Sequence, residues 1–128
     1  MKSQDARALG ESIRNLIARG HVADAYALLS PILAERTPFR LLDVIGEQIG
    51  AAALESANPF LEHVAAQNTM GGWVVIASAL KGQLERDLPG AFARCRSYVI
   101  LANVWYATDI LGERVVTVGR HRSRVGRC

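Results

Sequence analysis

Apolar residues recur at helical spacing along almost the whole of this chain, and no stretch alternates with period two over a convincing length. That regularity leaves little room for a sheet. The first stripe, from about Ser3 to Arg19, carries Leu9, Ile13, Leu16 and Ile17, and Gly20 stands where a capping glycine would close it. A second stripe follows with Val22, Ala25, Tyr26, Leu29, Ile32 and Leu33; Pro31 is expected to kink its last turn or stop it early. Thr37-Pro38 reads as an N-cap followed by proline in the first helical position, opening a third stripe of Leu41, Leu42, Ile45, Ile49, Ala52 and Ala53. Asn58-Pro59 repeats that signal for a fourth, shorter helix with Phe60, Leu61, Val64 and Ala65. Gly71-Gly72 marks a break, after which a fifth helix to about Arg86 turns Trp73, Ile76, Ala77, Leu80 and Leu84 inward. The sixth, beyond Leu88-Pro89-Gly90, carries Phe92, Cys95 and Val99, and the seventh is the stretch Asn103 to Leu111, ended near Gly112.

About seven helices joined by short turns make an all-α protein, either a closed bundle or an open stack. Several stripes are apolar over a wide arc, as expected when each helix pair packs on pairs to both sides. The expectation is therefore a HEAT-like α-solenoid of antiparallel helix pairs over residues 1 to 116, with residues 117 to 128 as a basic tail. That tail, TVGRHRSRVGRC, has only two valines as apolar anchors and cannot close the stack. An uncapped C-terminal end is expected to be an exposed apolar surface, prone to self-association.

A chain of 128 residues is ordinarily one domain with a core of useful size. No apolar run is long enough to span a bilayer, and the polar start Met1 to Arg7 does not look like a secretory signal; no membrane partner and a cytoplasmic location are expected. Two cysteines, Cys95 and Cys128, are too few for a disulfide framework and lack zinc spacing, while His21, His63 and His121 are scattered. No metal and no cofactor are expected.

Charge is unevenly distributed. Residues 1 to 93 hold 8 Lys or Arg against 10 Asp or Glu, whereas residues 94 to 128 hold 7 against 2. A basic C-terminal quarter suits a nucleic-acid-facing end, and equally a solvated arginine-rich tail. Within it, Trp105 and Asp109 are one helical turn apart on one face. An indole beside a carboxylate can attract a cation and stabilise positive charge developing next to it; the plainer reading is a core tryptophan and a solvated acid.

The segment from about Gly72 to Val116, with its helix GWVVIASAL, the arginine-bearing helix after it and then NVWYATD, resembles the DNA alkylation repair family of HEAT-like glycosylases. The resemblance implies a concave, positively charged surface that holds alkylated double-stranded DNA, with Trp105 and Asp109 flanking the damaged nucleotide. It also implies Tyr106 on that surface, with Arg94, Arg96 and Arg114 as phosphate contacts. The implied reaction is hydrolysis of the N-glycosidic bond of a cationic alkylated purine. Members of that family continue for several further helices that add an arginine and a second tryptophan to the cleft, and the likeness here ends near Val116. The chain therefore reads as an N-terminal part of such a protein, either active or binding DNA without turnover. The rival expectation is a non-enzymatic HEAT-like scaffold that binds other proteins.

Overall fold

The computed structural model describes residues 1–102, which form six α-helices and, among the described residues, no strand. These are α1 (Ser3–Ala18), α2 (Val22–Ala34), α3 (Phe39–Gly50), α4 (Leu54–Gln67), α5 (Met70–Gln83) and α6 (Leu88–Ala102). The expected seventh helix, the expected tail and the C-terminal end through which self-association was expected all lie outside the described residues. The fold is all-α, built as successive antiparallel helix pairs in a HEAT-like stack. Helices α1, α3 and α5 lie side by side as one layer, with α3 in the middle, and α2, α4 and α6 cover them as the other.

Small residues set the spacing inside the first layer. Gly46 and Gly50, four apart on one face of α3, meet Val75, Ser78 and Ala79 of α5. A Cβ at Gly46 would fall 2.6 Å from Ser78 Cβ and 2.7 Å from the Val75 carbonyl oxygen, and one at Gly50 would fall 2.6 Å from the Ala79 carbonyl oxygen. The helices thus touch backbone to backbone. Ser78, buried in that contact, donates from Oγ to the Asp43 carbonyl oxygen at 2.8 Å, so no polar group is left unsatisfied there. Gly10 brings α1 close to α3, where a Cβ would fall 2.8 Å from Gln48 Cβ and 3.3 Å from Ile45 Cα, and Arg14 donates to Gln48 Oε1 at 3.0 Å.

Helix α5 is the interior of the molecule: every residue from Gly72 to Leu80 is buried. The sequence stripe put only one face of it inward. Its start is fixed by a double lock at the α4–α5 turn. Asn68 adopts a left-handed conformation, φ 50°, and accepts from the Trp73 indole Nε1 at 2.8 Å, while Thr69 caps α5 by accepting from Gly72 N at 3.0 Å. Trp73 is fully buried and packs against Tyr98 of α6, ring centroids 6.1 Å apart.

Four local expectations are corrected. Gly71-Gly72 is not the break but the first turn of α5, the break being Asn68-Thr69. At Gly71 a Cβ would lie 3.0 Å from Leu33 Cδ2, so the glycine serves packing. Asn58-Pro59 does not start α4, which begins at Leu54, and Pro31 does not stop α2, which runs on to Ala34. Both prolines stand on exposed faces, as do Ala27 and Glu55, whose carbonyls lose their helical donors to them; water can replace those donors, so the helices pass through. Thr37 does not cap α3: Pro38 holds that position, and the Thr37 hydroxyl donates to the Ile32 carbonyl oxygen at 2.9 Å, tying the loop back to α2. The glycine stop of α1 holds, with Gly20 at φ 81° and paired bonds from Gly20 N to Ile17 O and His21 N to Leu16 O.

The glycine contacts make a contrast that a denaturation midpoint can read. Gly46→Ala should lose about 1–3 kcal/mol, because the added methyl meets α5 backbone. Gly82→Ala, whose Cβ would stand 3.5 Å from Gly50 Cα in ordinary contact, should be neutral or gain up to about 1 kcal/mol from helix propensity.

Candidate functional site

Of the residues expected to act on DNA, only Arg94 and Arg96 fall among the described ones; Trp105, Tyr106, Asp109 and Arg114 lie outside them. Arg94 and Arg96 are two apart on α6, which turns them roughly 200° from one another. They do not share a face. Arg96 is exposed, whereas the Arg94 side chain keeps 22% of its exposure and points into the molecule.

What Arg94 meets there is a polar cluster inside the helix stack. Its NH2 donates to Gln83 Oε1 at 2.8 Å and to Asp87 Oδ2 at 3.3 Å. Gln83, fully buried at the end of α5, passes the chain on by donating from Nε2 to Asn58 Oδ1 of α4 at 3.1 Å. Asp87 also caps α6, accepting from Gly90 N at 3.1 Å. The Arg94 Nε is buried without an acceptor, so the guanidinium is held here at a desolvation cost. An arginine paired this way is not the free cation that a phosphate contact requires, and Arg94 is better described as a clamp joining α4, α5 and α6. Arg86 is likewise turned inward in part: its guanidinium donates to the Ala52 carbonyl oxygen at 2.9 Å and to that of Gly50, neutralising the C-terminal end of α3.

Tyr98, one turn beyond Arg94, is pushed up to about 12, first by burial and then by the Glu62 carboxylate, with Arg94 pulling it down. Gln83 was not singled out from sequence, and Asn58 only as part of a helix-start signal. A glutamine three residues after Leu80, on the edge of an otherwise apolar stripe, was the available signal for a buried amide.

A second feature was absent from the sequence reading altogether. Where the C-terminal end of α2 and the loop 35–38 meet the starts of α3 and α5, a recess of about 550 Å³ opens at the rim of the stack. Its floor is aliphatic, from Ile32, Leu33 and Leu42, and its sides include Phe39 and Met70, which stay 41% and 47% exposed. Nothing local in the sequence says that loop 35–38 and the α4–α5 turn come together. Among the described residues, no three His, Cys, Asp or Glu side chains cluster in a way that could hold a metal ion, and no helix is long and apolar enough to cross a membrane.

Comparison with protein-family models, with curated proteins and with solved structures finds no match for this chain.

The Tyr98 environment gives a pH signature. Below the ordinary value of 10.0 folded and unfolded chains both keep the phenol proton, so the contribution is whole; between 10.0 and about 12 the unfolded chain loses it first. Stability should therefore fall across that window by roughly 1–2 kcal/mol more in wild type than in Tyr98→Phe, read from urea midpoints taken at neutral pH and within the window.

Proposed function

We propose that this chain binds duplex DNA through its C-terminal quarter, as a HEAT-like relative of the glycosylases that release alkylated purines. The observation that carries the reading is where the uncommitted positive charge lies. Residues 1–102 hold 10 Lys or Arg against 10 Asp or Glu, and Arg86 and Arg94 among them make contacts inside the molecule. Residues 103–128 add five arginines against Asp109 and Glu113. A polyanion is attracted most strongly to that end and to Arg96 beside it. The two-layer helix stack is the architecture that the resemblance of residues 72–116 implies, and a cytoplasmic location goes with this reading.

In the hydrolysis so implied, the bond between the sugar C1′ and the purine nitrogen breaks. Its electron pair leaves with the base, neutralising the cationic ring, so little acid assistance is needed. The barrier is the oxocarbenium-like sugar. Asp109 would stabilise that charge and orient the water, whose oxygen bonds to C1′ while its proton passes to the carboxylate and then to solvent. Trp105 would lie against the sugar or the cationic base.

A scaffold that binds proteins is the second reading, and the rim recess favours it. The two part on salt. Under the DNA reading, affinity for a short duplex, followed by fluorescence anisotropy, should drop roughly tenfold or more between about 50 mM and about 200 mM salt. Insensitivity to salt, or no binding at the lower concentration, would refute it.

Asp109→Asn tests the chemistry separately. Release of methylated purines should be abolished, duplex binding kept or slightly strengthened, and stability changed by less than about half a kcal/mol. Wild-type protein that binds methylated duplex without releasing base would leave DNA binding standing and remove the hydrolysis.

A further inference from the structure

We infer that the rim recess between α2, α3 and α5 is a docking site for an acidic amphipathic peptide segment, seating apolar side chains between Phe39 and Met70 and a carboxylate at Arg36. The recess lies on elements remote in sequence from the basic C-terminal quarter, so it stands or falls independently of DNA binding.

Shape and polarity come first. A single exposed apolar side chain means little on a protein surface. Here two of them border one concavity with an aliphatic floor, and its volume of about 550 Å³ is within the range of about 300–1,000 Å³ typical of ligand pockets. The floor is rigid. Leu33 and Leu42 pack closely against Gly71, which also lines the recess and where a Cβ would stand 3.0 and 3.3 Å from their methyls. The rim loop is tied down by the Thr37 hydroxyl on the Ile32 carbonyl oxygen. A preformed apolar recess of this kind binds without first having to be ordered.

Charge fixes the sign of the occupant. Arg36 lines the recess and Arg40 lies in the first turn of α3 beside it; both are exposed, and neither is ion-paired with a described residue. Glu35 is the one acid in the lining. The first turn of α3 adds positive potential, because Pro38 offers no side-chain acceptor to its leading N–H groups. An aliphatic floor with a cationic margin selects a segment that alternates apolar anchors with Asp or Glu. Duplex DNA would satisfy the arginines and leave Phe39 and Met70 facing phosphates.

The probe is a phage-displayed library of short random peptides, selected on the full chain and counter-selected on Met70→Glu. Enriched peptides should combine Leu, Phe or Trp with acidic residues. A synthetic winner should lose at least about tenfold in affinity on Met70→Glu, which adds like charge to an exposed apolar side. Arg36→Glu should weaken the same peptide and strengthen its analogue with Lys in place of the acids. Both positions are exposed, and unchanged melting curves will show that the fold is kept. The proposal is overturned by an absence of enrichment, by a basic or charge-neutral consensus, or by a winner indifferent to Met70→Glu. Displacement of the peptide by duplex DNA overturns it too, as does a wild-type dimer in sedimentation that Met70→Glu dissolves.

Discussion

The contact between Gly46 and Gly50 of α3 and Val75, Ser78 and Ala79 of α5 is the constraint on which the rest of the molecule rests. Helices this close cannot slide or rotate without collision, since the atoms that would collide are chiefly carbonyl oxygens, Cα atoms and the Cβ of Ser78, none of which is the far end of a flexible side chain. Once that distance is fixed, the position of α1 follows through Gly10, and the second layer closes over whatever grooves remain. Ser78 fits the contact for the same reason: its hydroxyl is small enough to enter and finds the Asp43 carbonyl oxygen there.

Apart from Ser78, several of the internal polar contacts lie at helix ends, where backbone donors and acceptors need partners. Arg86 meets the last carbonyls of α3, Asp87 the first N–H groups of α6, and Asn68 and Thr69 the boundary of α4 and α5. Arg94, Gln83 and Asn58 then join three helices in one chain of hydrogen bonds. The functional consequence is indirect. Residues 1–102 carry 10 basic and 10 acidic side chains, with Arg94 partly withdrawn from the surface, so the basic excess of the protein lies beyond residue 102.

Sequence by itself determined that the chain is helical, roughly where each stripe lies, and which residues are core: Ile13, Ile17, Leu29, Leu41, Leu42, Ile45, Phe60, Leu61, Trp73 and Leu80 are all buried as their periodicity requires. It determined the stop at Gly20, because a left-handed residue has few alternatives to glycine. It misjudged the starts of α3, α4 and α5, because the rules for proline and glycine describe an isolated helix. A proline on a wet face and a glycine under a neighbouring helix are decided by what lies beside them. The fate of Arg94 was equally illegible: an arginine is a surface cation or an internal clamp according to whether Asp87 and Gln83 stand within reach, and that depends on how α6 folds back along α5. The rim recess is the same lesson at larger scale. Its sides come from loop 35–38 and the start of α5, more than thirty positions apart in the chain, and only the packing of α2, α3 and α5 makes one concave surface of them.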